Sequence, residues 1–215
     1  MPQSLAPAGF DGADADLLGA RGFVLIDGWL GRERALALRA ELLLLLERGC
    51  FAESRVGHGP KRHRSAGVRS DQVCWFAADA DVDGVDGRRG VRPGPEMLLF
   101  LVRLEELRER LNSFCFLSLA ELECHAACYE PGSRYDAHVD VFADDARRVI
   151  SFSHYLNEPW SVDDGGALRV HHEGGPTDVE PLLDRLVLFQ SRRMLHEVRL
   201  VARRRLSTTG WMSAR

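Results

Sequence analysis

Two histidines and one aspartate have the residue types and spacing of a mononuclear metal site. His138 and Asp140 are separated by one residue, so on a β-strand both side chains would leave the same face. His196 stands at the head of a later strand candidate, and Arg205 follows it. Two imidazoles and one carboxylate on one face of an octahedral Fe(II) leave three positions open, enough for a bidentate 2-oxo acid and dioxygen. The planar guanidinium of Arg205 would suit the remote carboxylate of 2-oxoglutarate.

These residues also have structural interpretations. Isolated histidines are usually hydrogen-bonded polar groups, and Arg205 ends a run of three arginines that could be a solvated charge cluster. Cys124 and Cys128 flank a histidine but lack a second ligand pair at zinc spacing, which favours buried thiols. His171 and His172 are adjacent and would point to opposite faces of a strand, which favours the surface.

The C-terminal part of the chain is β-rich from Phe114 onward. Short β-branched and aromatic runs alternate there with Gly, Pro and Asp, and the spacing leaves no room for crossover helices. This texture predicts an antiparallel sandwich or barrel of jelly-roll type. The strand candidates are Leu119 to Tyr129, Val149 to Leu156, Leu168 to His171, Leu186 to Phe189, His196 to Leu200 and Leu206 to Met212.

The N-terminal part supplies helices and one long connection. The first 16 residues have no periodicity and are expected to be a loose lead-in, followed by a strand at Phe23 to Ile26. Two amphipathic helices are predicted, at Arg32 to Arg48 and at Glu96 to Leu111. Residues 54 to 95 between them are predicted to be a loop, basic from Arg55 to Arg69 and acidic afterwards.

Composition excludes several classes of protein. With 215 residues, 45% hydrophobic and 28% charged, the chain can bury its own core. A net charge of -4 gives no global attraction to nucleic acid or to an anionic membrane. No apolar run approaches the roughly 18 to 20 residues of a membrane span, and no export signal is evident, so we expect a cytoplasmic protein. Five cysteines, an odd number, argue against a disulfide framework.

Several motifs in one order resemble a known family, the 2-oxoglutarate- and Fe(II)-dependent prolyl 4-hydroxylases. Within it the similarity is greatest to the oxygen-sensing (HIF-type) prolyl hydroxylases and their bacterial relatives. The match is dense over residues 115 to 213 and thinner upstream, around Arg69-Ser70-Asp71 and Trp75. The motifs are Tyr129-x-x-Gly132-x-x-Tyr135-x-x-His138-x-Asp140, Tyr155-Leu156-Asn157, Gly165-Gly166-x-Leu168-Arg169, Asp184-Arg185-Leu186-x-x-Phe189 and His196-Glu197-Val198 with Arg205.

The resemblance implies an α+β, mainly β fold, a double-stranded β-helix supported by N-terminal helices. Residues 1–114 would form the helical support region with a substrate-loop segment, and residues 115–213 the dioxygenase domain. The implied iron ligands and catalytic residues are His138, Asp140 and His196, with Arg205. Arg205 and Tyr155 would hold the far carboxylate of 2-oxoglutarate, and Tyr129 and Thr209 would line its pocket. One departure is His154, which stands where the oxygen sensors carry a second aromatic residue.

The resemblance also implies the reactants. Fe(II) would be the metal, with 2-oxoglutarate and O2 as cosubstrates and ascorbate as a supporting reductant. The partner would be a protein with an exposed prolyl loop, for example a translation factor, and residues 54 to 95 would close over it as a lid. Two alternatives stay open: a nucleic-acid demethylating dioxygenase with the same iron site, and a non-catalytic module that senses oxygen or 2-oxoglutarate.

Overall fold

The computed structural model describes residues 9–54, 67–76, 83–84, 88–141 and 147–215, with the backbone alone at 83, 84, 88 and 89. Half of the predicted lid lies outside these ranges, because residues 55–66, 77–82 and 85–87 are not among the described residues. No helix in the described part of the chain is long and apolar enough to cross a bilayer. All five cysteines are free thiols, as predicted.

Three helices form the N-terminal support: α1 (Gly12–Arg21), α2 (Arg32–Glu47) and α3 (Pro95–Cys115). The prediction of a loose lead-in through residue 16 is wrong, since α1 begins at Gly12. Asp11 caps this helix by accepting hydrogen bonds from the amides of Ala13 and Asp14 at 2.8 and 3.1 Å. Only Leu18 is buried from α1, so its apolar face is too small to give a periodic signal.

The strands form two sheets. Their bounds are β1 (Phe23–Asp27), β2 (Ala52–Glu53), β3 (Gln72–Phe76), β4 (Asp83–Gly84), β5 (Arg88–Val91), β6 (Leu119–Tyr129), β7 (Tyr135–His138), β8 (Arg148–Tyr155), β9 (Leu168–His172), β10 (Gly175–Val179), β11 (Arg185–Gln190), β12 (Leu195–Val198) and β13 (Arg205–Ala214). In the described residues the major sheet has the order β1-β11-β8-β13-β6-β3-β5-β4, with β2 paired to β3, and the minor sheet has the order β10-β9-β12-β7. Nearly all pairs are antiparallel, so the predicted jelly-roll type of fold is confirmed.

The N-terminal region contributes strands as well as helices to this fold. β1 pairs with β11, and β3 pairs with β6 through partners such as Cys74 and Ala126. The prediction that residues 54 to 95 are all loop is therefore wrong. The apolar run at Val73 becomes a strand because it pairs with the edge of β6. This partner is distant in the chain, so the local sequence does not indicate the pairing.

The major sheet is buried on both faces, which fixes the direction of its side chains. On β11, Leu186 and Leu188 pack against the helices, while Val187 and Phe189 face the space between the two sheets. β13 alternates in the same way but carries polar groups inward. Leu206 packs under the helices, whereas Arg205 belongs to the inner face. The inner face is thus available for chemistry.

Asp184 joins the sheet to the segment between β1 and α2. Its carboxylate accepts hydrogen bonds from the amides of Leu30 and Gly31, each at 2.8 Å, and contacts His154 Nε2 at 2.9 Å. Asp184 is 3% exposed and has a left-handed backbone with φ of 62°. His154 stands where the oxygen-sensing hydroxylases carry a second aromatic residue, and the buried carboxylate of Asp184 is its hydrogen-bond partner.

We predict that Asp184→Ala lowers the free energy of unfolding by about 3 kcal/mol or more. Two buried donors and one part-buried donor would lose their acceptor, and each unsatisfied buried group costs roughly 1 to 3 kcal/mol. Asp184→Asn keeps one acceptor oxygen and should fall between. Urea denaturation measures both, with the exposed Asp163→Ala as a control expected within about 0.5 kcal/mol of the wild type. A loss below about 1 kcal/mol for Asp184→Ala would contradict this assignment.

Candidate active site

The structure brings His138, Asp140 and His196 together. β12 pairs with β7 so that His196 lies directly opposite His138, and their ring centroids are 4.2 Å apart. One metal-binding atom from each of the three residues lies within 4.8 Å of the other two. Asp140 Oδ1 is 3.6 Å from His138 Nε2, and Asp140 Oδ2 is 3.6 Å from His196 Nε2. The three side chains therefore converge on one point, as the sequence predicts.

Asp140 reaches this point from outside the strand. The expectation that His138 and Asp140 share one strand is wrong, since β7 ends at His138. Asp140 is instead held by β8: Arg148 Nη1 donates to its backbone carbonyl at 3.3 Å, and the Ser151 hydroxyl donates to Oδ2 at 2.7 Å. Hydrogen bonds from β8, and not the alternation of side chains along one strand, therefore hold Asp140 at the site.

Backbone carbonyls fix the tautomer of both histidines. His138 Nδ1 lies 2.8 Å from the carbonyl oxygen of Asp136, and His196 Nδ1 lies 3.0 Å from that of Met194. A carbonyl can only accept, so each Nδ1 carries the proton. Each Nε2 faces Asp140 at 3.6 Å, and a carbonyl on Nδ1 with Nε2 turned to the site is the arrangement that metal-binding histidines adopt.

The electrostatics favour a bound cation. Burial alone would raise the pKa of Asp140, but His196, His138 and the Ser151 hydroxyl outweigh it and hold that pKa well below its ordinary value. Burial lowers the pKa of His196. A carboxylate with two imidazoles is a donor set that suits Fe(II), with positions left open.

Arg205 forms a second centre on the inner face of β13. It is 2% exposed, and its Nε donates to the carbonyl of Gly166 at 2.9 Å. It makes no ion pair with any carboxylate in the part of the chain that the structure describes. By contrast, Arg203 and Arg204 are exposed, and Arg204 pairs with Glu130 at 2.7 Å. A buried guanidinium without a protein counter-ion is suited to bind an anionic ligand.

Tyr155 and Tyr129 flank this guanidinium. The Arg205 carbon Cζ lies 4.9 Å from the Tyr155 ring centroid and 5.1 Å from that of Tyr129. The Tyr155 hydroxyl is buried and has no hydrogen-bond partner among the described residues. Thr209 differs, because its hydroxyl donates to the carbonyl of Phe152 at 2.8 Å. Tyr155 and Arg205 therefore have unused donors that a carboxylate would satisfy.

Tyr135 supports His138 in a way that sequence reasoning missed. Its ring stacks on the His138 imidazole at a centroid distance of 3.7 Å and an interplanar angle of 18°. The Arg69 guanidinium lies 4.7 Å from the Tyr135 ring and pairs with buried Asp71 at 2.8 Å. Arg69, Asp71 and Tyr135 all appear in the quoted motifs, but no sequence signal indicates that they stack on one another.

Aromatic side chains line the inner face beyond the metal ligands. Trp75, His125 and Trp211 pack against one another, with ring-centroid distances to His125 of 4.3 Å for Trp75 and 5.4 Å for Trp211, and of 6.3 Å between the two tryptophans. The Arg148 guanidinium covers the Trp211 ring at 3.5 Å, and the same arginine donates to Asp140. We call Trp75, His125 and Trp211 the aromatic wall. Trp211 therefore lies beside the arginine that holds Asp140.

Comparisons with known proteins agree with this geometry. Residues 124–213 match the 2OG-Fe(II) oxygenase superfamily. The chain is 32% identical over 200 residues to the hypoxia-inducible factor prolyl hydroxylase of Caenorhabditis elegans, covering 88% of this chain and 26% of that protein. It is 32% identical over 208 residues to the human prolyl hydroxylase EGLN3, covering 88% and 77%. The first curated relatives are longer, and the chain spans between 26% and 54% of their length.

Solved structures give the same result. The model superposes on a Pseudomonas putida prolyl-4-hydroxylase with a TM-score of 0.77 and 33% identity, covering 94% of this chain and 98% of that one. It superposes on a Trichoplax adhaerens prolyl hydroxylase, solved with a hypoxia inducible factor peptide, with a TM-score of 0.79 and 26% identity, covering 93% and 87%. The chain belongs to the prolyl hydroxylase family of 2-oxoglutarate- and Fe(II)-dependent oxygenases.

Proposed function

We propose that this protein is a prolyl 4-hydroxylase that modifies a protein loop, with Fe(II) held by His138, Asp140 and His196. The observation that carries the proposal is that these three donors converge between the two sheets, in the space that the buried guanidinium of Arg205 also faces without a carboxylate partner among the described residues. Bound there, Fe(II) would supply the oxidative chemistry in which 2-oxoglutarate and O2 give succinate and CO2 and one oxygen atom enters a C–H bond. The protein supplies geometry and electrostatics.

The chain's own residues bind and orient the cosubstrate. Arg205 would pair with the far carboxylate of 2-oxoglutarate, and the Tyr155 hydroxyl would donate to the same group. Gly166 supports this pocket, because a Cβ there would lie 3.1 Å from Arg205 Cδ and would crowd the guanidinium. The Tyr129 ring would form an apolar wall of the pocket, and Thr209 would form a polar one. Ascorbate stays our candidate for the supporting reductant.

The aromatic wall is the surface we assign to the substrate proline. Flat rings can pack against a pyrrolidine ring without requiring a hydrogen bond from it, and Arg148 joins the Trp211 ring to Asp140. A protein substrate is favoured because the Trichoplax relative was solved with a peptide. A loop of a translation factor stays our candidate. We place the reaction in the cytoplasm.

The two alternatives have weaker support. A nucleic-acid demethylating enzyme would need a cationic groove for phosphates, and the chain has a net charge of -4. The named relatives are prolyl hydroxylases. A non-catalytic sensor would bind metal and 2-oxoglutarate without releasing succinate, so turnover separates it from an enzyme.

We expect His138→Ala and His196→Ala to abolish succinate release while the melting temperature changes little. Both imidazoles lie at the site and not in the hydrophobic clusters, so their loss removes chemistry more than packing. Succinate release with Fe(II), 2-oxoglutarate and O2 is measured beside thermal unfolding. Asp163→Ala is the control variant. Wild-type rates in either histidine variant would refute the assignment of the ligands.

Arg205→Ala should weaken 2-oxoglutarate binding by about two to three powers of ten. The ligand carboxylate would then lie in the pocket without its counter-ion, which typically costs roughly 3 to 5 kcal/mol. Arg205→Lys should lie between, because it keeps the charge and loses the two-pronged contact. Calorimetry with Mn(II) and no oxygen reports binding without turnover. Arg203→Ala is the matched control, and equal small losses at both arginines would contradict the pocket.

The substrate class can be tested without knowing the substrate. Incubating the Fe(II) enzyme and 2-oxoglutarate with host-cell lysate should produce peptides heavier by about 16 Da, the mass of one oxygen atom, at proline. The His196→Ala protein serves as the blank. If the mass increase were found only at other residue types, or only in nucleic acid, the assignment of proline as the target would be wrong.

A further inference from the structure

Two buried serines are attached to the carboxylate of Asp140. Ser151 lies on β8 and Ser191 directly follows β11; their exposed fractions are 1% and 0%. The Ser151 hydroxyl is 2.7 Å from Asp140 Oδ2, and the two serine hydroxyl oxygens are 2.8 Å apart. Ser191 is itself fixed, since its amide donates to the carbonyl of Val149 at 3.0 Å. Neither serine was singled out by the sequence, because they lie far from Asp140 in the chain.

The direction of these hydrogen bonds follows from the chemistry of the groups. The Ser151 hydroxyl has a single proton and donates it to Asp140 Oδ2, 2.7 Å away. Ser191 must then be the donor between the two serines. A hydroxyl that accepts a hydrogen bond becomes a stronger donor in a buried chain, so Ser191 strengthens the bond from Ser151 to Asp140.

This chain makes the two oxygens of Asp140 unequal. Distance does not separate them, since Oδ1 and Oδ2 each lie 3.6 Å from one histidine Nε2. The hydrogen bond from Ser151 does separate them, because it draws electron density from Oδ2 and fixes the plane of the carboxylate, while Oδ1 faces His138 Nε2 at 3.6 Å.

We propose that Ser151, supported by Ser191, is a positioning residue that makes Asp140 bind the metal through Oδ1 alone. The inference rests on the proposed function and deepens it. A carboxylate that bound through both oxygens would occupy one more position on the metal. Binding through one oxygen preserves the three positions that a two-pronged cosubstrate and dioxygen require. Arg148 holds the Asp140 backbone separately, so removing Ser151 frees the carboxylate more than the main chain.

The test measures metal and cosubstrate affinity, not turnover. Calorimetry of Mn(II) binding should show Ser151→Ala about 10- to 100-fold weaker than the wild type. Ser151→Cys nearly conserves volume but donates poorly, so it should behave like Ser151→Ala, and Ser151→Thr should restore most of the affinity. Ser191→Ala should lose less, below about 10-fold. At Mn(II) saturation, 2-oxoglutarate should bind Ser151→Ala about 10-fold or more weakly, because fewer metal positions remain.

Ser213→Ala is the matched control, a buried serine on β13 with no hydrogen bond to Asp140. It should keep wild-type affinities. If Ser151→Ala or Ser151→Cys bound Mn(II) and 2-oxoglutarate with wild-type affinity, the inference would be overturned, but the assignment of the metal ligands would not. A wild-type protein that binds Mn(II) no better than His196→Ala would overturn the proposed function and the inference with it. Melting temperatures, expected to change by only a few degrees, confirm that each variant is folded.

Discussion

Successive residues of a strand face opposite sides of its sheet, and the candidate site depends on this constraint in β13 and its neighbours. The outer face of the major sheet is largely apolar because three helices cover it. Every second residue is therefore free to be polar on the inner face, where Arg205, Thr209 and Trp211 follow one another along one strand. The minor sheet closes this face and supplies His138 and His196 from paired strands. Fold and site are consequences of the same alternation.

Buried charge is tolerated in this interior only where other groups stabilise it. Asp140 is held by two imidazoles and a serine hydroxyl, and Asp71 by Arg69 and Ser54. Arg205 stands apart, because the described residues give it carbonyl and hydroxyl partners but no carboxylate. The cosubstrate would supply the missing negative charge. A bound metal cation would therefore balance the negative charge of Asp140, and bound 2-oxoglutarate would balance the positive charge of Arg205.

The sequence allowed most of the β-rich half and the site to be predicted, since both rest on local patterns. Strand runs such as Leu119 to Tyr129 are long and apolar, and His138, Asp140 and His196 stand in motifs with fixed spacing. The failures share a physical cause. β3 forms only against β6, and Ser151 and Ser191 meet Asp140 only after the sheets assemble. Helix α1 was missed because it buries one residue, Leu18. Long-range partners leave no periodicity in the chain.

The central claim is that the metal ligands and the Arg205 pocket form one site for one cosubstrate. Anaerobic titration of the Fe(II) protein with 2-oxoglutarate tests it most directly, because chelation of Fe(II) by a 2-oxo acid produces a visible charge-transfer absorption band. The account predicts that the band develops with one equivalent of 2-oxoglutarate and that Arg205→Ala needs a far higher concentration to reach it. Binding of 2-oxoglutarate without the band, or a band that is indifferent to Arg205, would contradict a single site.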